Sequence, residues 1–178
     1  YLDNRIPSDV WLTHAHFGHV DGLGLFGRET INARGINLHV SQQMIELIEL
    51  TPHWKIMLDQ GVFVVNEIRD SQPKESDEFT MVPLQVPHRN ELSDMHAFVL
   101  RGPNKSLLYL PDHDTWNETL SMHNAETIRQ FLSDLAIDIA LIDGTFWSNN
   151  ELKSRSQDAV PHPPIKQTLE MLGYKQQG

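Results

Sequence analysis

Apolar positions in this chain fall into short runs with two different periods, which together predict strands alternating with helices. Residues 10–12, 36–40 and 62–65 are compact apolar or β-branched runs and read as strands. Between the first two, Val20, Leu23 and Phe26 keep a helical spacing despite Gly22, Gly24 and Gly27, which predicts a close-packed helix. Ser41 precedes Met44, Leu47 and Ile48 at i, i+3, i+4 spacing, a capped amphipathic helix, and Thr51-Pro52 opens a second short helix that Gly61 ends.

The second half repeats the alternation. The polar residues 70–78 read as a hairpin or solvated loop, and 79–86, 95–100 and 106–110 as strands, the last two joined through the turn Gly102-Pro103-Asn104. From 117 to 135 the period is helical, with Ile128, Phe131, Leu132 and Leu135 on one stripe, predicting a helix laid over one sheet face. Residues 137–142, interrupted by Asp138, form the most continuous apolar run after it and read as a strand. The polar residues 148–158 read as a mobile loop, and a last helix follows Pro161 to Pro164 with Ile165, Leu169 and Leu172 on its apolar face.

Composition narrows what this α/β pattern can serve. A chain of 178 residues supports one domain with a substantial core. With 14 basic and 24 acidic residues the net charge is −10, which repels polyanions and argues against a nucleic-acid partner. No run approaches the roughly 20 apolar residues of a membrane span. Cysteine is absent, so histidine and carboxylate are left to bind any metal. A cytoplasmic location is the working expectation. The chain opens at Tyr1, almost at its main motif, and is expected to be a fragment.

That motif is Thr13-His14-Ala15-His16-Phe17-Gly18-His19. His14 and His16, two apart in extended backbone, point to the same side, and Gly18 lets the chain turn so that His19 can swing back toward them. Three imidazoles at a strand end are a metal-site pattern, since divalent zinc, iron or manganese accepts imidazole nitrogen. Further histidines and carboxylates stand at later strand ends: His88 with Arg89, Asp112-His113-Asp114, Asp143, and His162 among prolines. Read singly, Arg89 pairs more simply with Glu91 or Asp94 than with a substrate anion. His113 points away from Asp112 in extended backbone and is left out of the ligand set. His39 and His53 read as structural, Trp116 as core, and Asp143 equally as a turn residue.

The histidine motif resembles the His-x-His-x-Asp-His signature of the metallo-β-lactamase fold superfamily, with Gly18 where that family carries aspartate. Val86-Pro87-His88-Arg89, Leu110-Pro111-Asp112-His113-Asp114, Ile142-Asp143-Gly144-Thr145 and Pro161-His162-Pro163 follow in the order of the branch related to the pyrroloquinoline quinone biosynthesis protein B. The resemblance runs from about Val10 to Leu172. It implies a four-layer α/β/β/α sandwich lacking its N-terminal strands here, with the site along one sheet edge. It also implies a first metal on His14, His16, His88 and Asp112, and a second on His19, His162 and the shared, catalytic Asp112. Asp114, Asp143 and Arg89 become orienting or substrate-facing residues. The implied chemistry is hydrolysis of a small ester, amide, lactone or phosphodiester by metal-activated water, with one or two zinc ions, or iron or manganese. A non-haem iron oxygenase and a non-catalytic metal-binding accessory protein are the alternatives. Gly18 removes a carboxylate from the second position, so one tight and one weak or vacant metal is expected, with Asp114 or Asp21 as imperfect substitutes.

Overall fold

The computed structural model describes residues 6–154 and 156–173. The chain gathers into two compact units, the first running to Asp70 and including Asn90–Asp94, the second holding Ser71–Arg89 and the residues from Met95 onward. Each unit carries its own sheet and its own apolar cluster.

In the first unit, β1 (Asp9–Trp11), β2 (Ile36–Val40) and β3 (Phe63–Glu67) form a parallel sheet in that order. Ile36, Leu38 and Val40 alternate into the core, while Asn37 and His39 face the other way, the period-two pattern of a strand with one buried face. His39 stacks on Trp11 with ring centroids 3.8 Å apart and bonds Asp9 at 2.8 Å, the structural role expected of it. Two helices, α2 (Gln42–Leu50) and α3 (Pro52–Asp59), join β2 to β3, and Ser41 caps α2 by accepting from the Met44 amide. Gly61, at φ 71°, ends α3 in the left-handed conformation that glycine adopts without strain.

The helix expected over residues 20–33 is not continuous. A single α turn, α1 (Phe17–Val20), gives way to a 3-10 turn over Asp21–Phe26 and then to irregular chain. Three glycines raise the cost of an α-helix here, and the side chain of Thr30 bonds the carbonyls of Leu25 and Gly27 in its place. Val20 and Leu23 are still buried, so the apolar spacing was read correctly although the helix type was not.

The second unit is a five-stranded sheet in the order β4 (Lys74–Glu75), β5 (Thr80–Val86), β6 (Met95–Arg101), β7 (Ser106–Leu110), β8 (Ile139–Ile142). Neighbours are antiparallel except β7 and β8, which are parallel and joined by a helical crossover. That crossover is two helices, α4 (Trp116–Met122) and α5 (Ile128–Asp134), where the periodicity suggested one. Asn124 at φ 55° breaks the run and Thr127 caps the second helix through the Gln130 amide. Ile128 and Phe131 are buried as expected, beside Val99, Leu108, Leu110 and Trp116. A last helix, α6 (Ile165–Met171), follows the prolines. No helix among the described residues is long and apolar enough to cross a membrane.

Candidate metal centre

In the first unit the ligand pattern begins where β1 ends. Leu12 continues the sheet through its amide to the His39 carbonyl at 3.1 Å, so the next residues leave a fixed strand end. His14 is 1% exposed; its Nε2 lies 3.0 Å from His16 Nδ1 and its Nδ1 lies 3.1 Å from Thr13 Oγ1. The His19 amide donates to the His16 carbonyl at 2.9 Å, closing the turn of α1 and bringing the His19 ring to 4.3 Å from that of His14. The three imidazoles are therefore gathered, with the His14 and His16 nitrogens the close pair. A fourth group was not foreseen: Glu91 Oε2 stands 3.5 Å from His16 Nε2. At Gly18 a Cβ would meet no heavy atom within 4 Å, so the position has room for a side chain.

In the second unit three strand ends converge. The Asp114 amide donates to the Pro87 carbonyl at 2.8 Å, tying the segment after β7 to the end of β5. His88 then has Nδ1 at 3.0 Å from Asp114 Oδ1 and Nε2 at 3.6 Å from Asp112 Oδ2. After β8, Asp143 accepts from the Thr145 amide at 2.9 Å through one oxygen and lies 2.6 Å from His162 Nδ1 through the other. Asp112, Asp143 and His162 each offer a ligand-type atom, all within 4.8 Å of one another. Because both Asp143 oxygens are engaged, this carboxylate is placed to orient His162 while also making the turn. His113 is buried with its Nδ1 2.8 Å from Thr119 Oγ1 and its ring edge-on to Trp116, which is itself core. Arg89 acts on Asp114 through its charge and backbone N–H.

The electrostatics follow from this packing. Burial pulls the His162 imidazole down, but the hydrogen bond and charge of Asp143, with the Asp112 charge, outweigh it and leave its pKa above the ordinary value. Burial and then the Glu118 charge push the Asp114 carboxyl up. Burial lowers His113 to about 4. A cavity of about 310 Å³ opens beside His162 and Asp114, lined also by Thr115, Asn149, Gln157 and Gln167 and walled by prolines.

The donors suit a borderline divalent cation. With zinc–nitrogen bonds of about 2.0–2.1 Å, two ligand nitrogens of a tetrahedral site lie about 3.3 Å apart, close to the 3.0 Å between the His14 and His16 nitrogens. Histidine with carboxylate also suits ferrous iron. Sequence reading did not single out Thr13 or Glu91 as partners of the histidines. Thr13 was legible as the neighbour of His14, whereas nothing local ties Glu91 to a histidine 75 positions earlier.

A profile of the beta-lactamase superfamily domain matches residues 6–176. The chain belongs to the beta-lactamase superfamily. Solved structures agree on the fold. Zinc-bound PqqB from Methylobacterium extorquens superposes with a TM-score of 0.64 at 16% identity, over 88% of this chain and 50% of that one. Unliganded yeast PDE1 gives 0.64 at 9% identity, over 93% and 51%. A variant of the CmlA β-hydroxylase gives 0.56 at 15% identity, over 96% and 37%. Identities this low establish the α/β metallo-β-lactamase fold expected from the sequence. The chain spans about half the length of the first two, at 50% and 51%. No curated protein matches it.

Proposed function

We propose that this superfamily member is the ligand-bearing part of a metal-dependent hydrolase acting on a small ester, amide, lactone or phosphodiester. One cation, zinc, is held by His14, His16, His88 and Asp112, and a second, weaker one by His19, His162 and the shared Asp112. The observation that carries this reading is the orientation of the imidazoles. His14, His88 and His162 each have Nδ1 beside a side-chain oxygen, of Thr13, Asp114 and Asp143, which leaves Nε2 to meet a cation.

A divalent cation in such a setting lowers the pKa of water from 15.7 toward about 7 and polarises a carbonyl or phosphoryl oxygen. The chain's own residues then have separable tasks. In the proposal Asp112 is the carboxylate that would be shared by both cations, and His88 is kept in one tautomer by Asp114. His162, held by Asp143 on a proline-walled segment, borders the cavity and so meets the bound molecule. The small, mostly uncharged polar lining fits a small-molecule substrate.

The test is hydrolysis of p-nitrophenyl acetate and bis(p-nitrophenyl) phosphate by the zinc-loaded protein and by His16→Ala. The reading predicts turnover of at least one ester and a loss of roughly 100-fold or more in the variant. A folded, zinc-loaded protein inert toward both, or a variant as active as the parent, contradicts it. The likeness to a β-hydroxylase supports a second reading, an iron-dependent oxygenase. Iron rather than zinc in the purified protein selects it.

A further inference from the structure

His16 differs from the other imidazoles. Its Nδ1 faces His14 Nε2 at 3.0 Å, so Nε2 is its outward nitrogen, and Glu91 Oε2 lies 3.5 Å from that atom. Glu91 is held there by the loop Asn90–Asp94, which belongs to the same unit as the histidines. The loop is anchored on the far side of Glu91 by two buried serines. Ser93 Oγ accepts from the Ala15 amide at 3.0 Å, inside the histidine motif, and Asp94 accepts from Ser41 Oγ, the cap of α2. Anchors this close in sequence fix the backbone that carries Glu91 against the motif.

We infer that Glu91 is the positioning residue of the histidine pair, its carboxylate holding His16 as the Nε2–H tautomer so that the Nδ1 lone pair stays available to a cation. The inference rests on the metal reading proposed above and adds a residue to it. A carboxylate on the outer nitrogen fixes the ring and raises ligand basicity. Cation binding at Nδ1 makes the Nε2 proton more acidic and hence a stronger donor to Glu91. The two contacts reinforce each other, so loss of Glu91 weakens the cation.

The test is zinc affinity, measured by competition with a chromophoric chelator, for the wild type, Glu91→Ala and Glu91→Gln, with thermal melts of the metal-free proteins. Removing such an orienting partner costs 10–100-fold in metal affinity. We expect a loss in that range for Glu91→Ala, a smaller loss for Glu91→Gln, whose amide oxygen still accepts from Nε2–H, and unchanged melts. Zinc binding by Glu91→Ala within twofold of the wild type overturns the inference and leaves the metal reading standing. Equal losses in both variants with lowered melts also overturn it, assigning Glu91 to loop stability. A wild type that takes no zinc removes the metal reading and the inference with it.

Discussion

At the scale of single residues, histidine serves two opposite purposes in this chain. His14, His88 and His162 each have one ring nitrogen beside an oxygen partner, whereas His113 is buried with Trp116 and Thr119 and has its pKa lowered to about 4. An unfolded histidine titrates near 6.5. Above that pH neither state holds the proton. As pH falls from 6.5 toward 4 the unfolded chain takes it up while folded His113 stays neutral, so stability is lost across that window, by roughly 3 kcal/mol in all. Urea unfolding at pH 7.5 and 4.5 should show a larger acid loss for the wild type than for His113→Gln; equal losses would refute the assignment. Gly18 supplies a second residue-level prediction. Its empty surroundings admit a side chain, so Gly18→Asp should restore the family carboxylate and tighten a second zinc by about tenfold or more, on the order of 1.4 kcal/mol. No tightening would mean that the motif alignment is wrong. The cluster of His14, His16 and His19 was legible because its spacing is local, whereas His88 and His162 stood out only through the order of the family's motifs. The partner of His16 was not, because it arrives from a loop 75 positions later.

At the scale of elements, the sequence pattern was most legible where caps and turn residues agreed with periodicity. Ser41, Thr51-Pro52 and Gly61 bound α2 and α3 as expected. The crossover after β7 was misread as one helix although its apolar stripe begins only at Ile128, and Asn124 and Thr127 are stop and start residues in their own right. β8 was read correctly as a strand, but not its exposure: among the described residues it pairs only with β7, and Ile139 and Leu141 remain 49% and 51% exposed. A run of apolar residues does not reveal whether its strand is central or at an edge. α5 ends with a testable flaw: Ala136, exposed, sits at φ 51°, where a Cβ costs about 1–2 kcal/mol. Ala136→Gly relieves that cost against a smaller entropic one, so it should stabilise by roughly 0.5–1 kcal/mol in chemical denaturation. Destabilisation would show that the methyl group makes contacts that matter more than the strain.

At the scale of the whole molecule, family membership and donor chemistry reach different depths. The profile match and the solved structures establish the superfamily and its fold. The proposed ligands are His14, His16, His19, His88, Asp112 and His162. The central claim is that these residues hold a cation. It is tested most directly by elemental analysis of wild type and His14→Ala, both purified without added metal and both shown to be folded by circular dichroism. The account predicts close to one zinc per wild-type chain, reflecting one tight position and one weakened by Gly18, and little or none in His14→Ala. A folded wild type without metal, or a variant that retains its full complement, would contradict it.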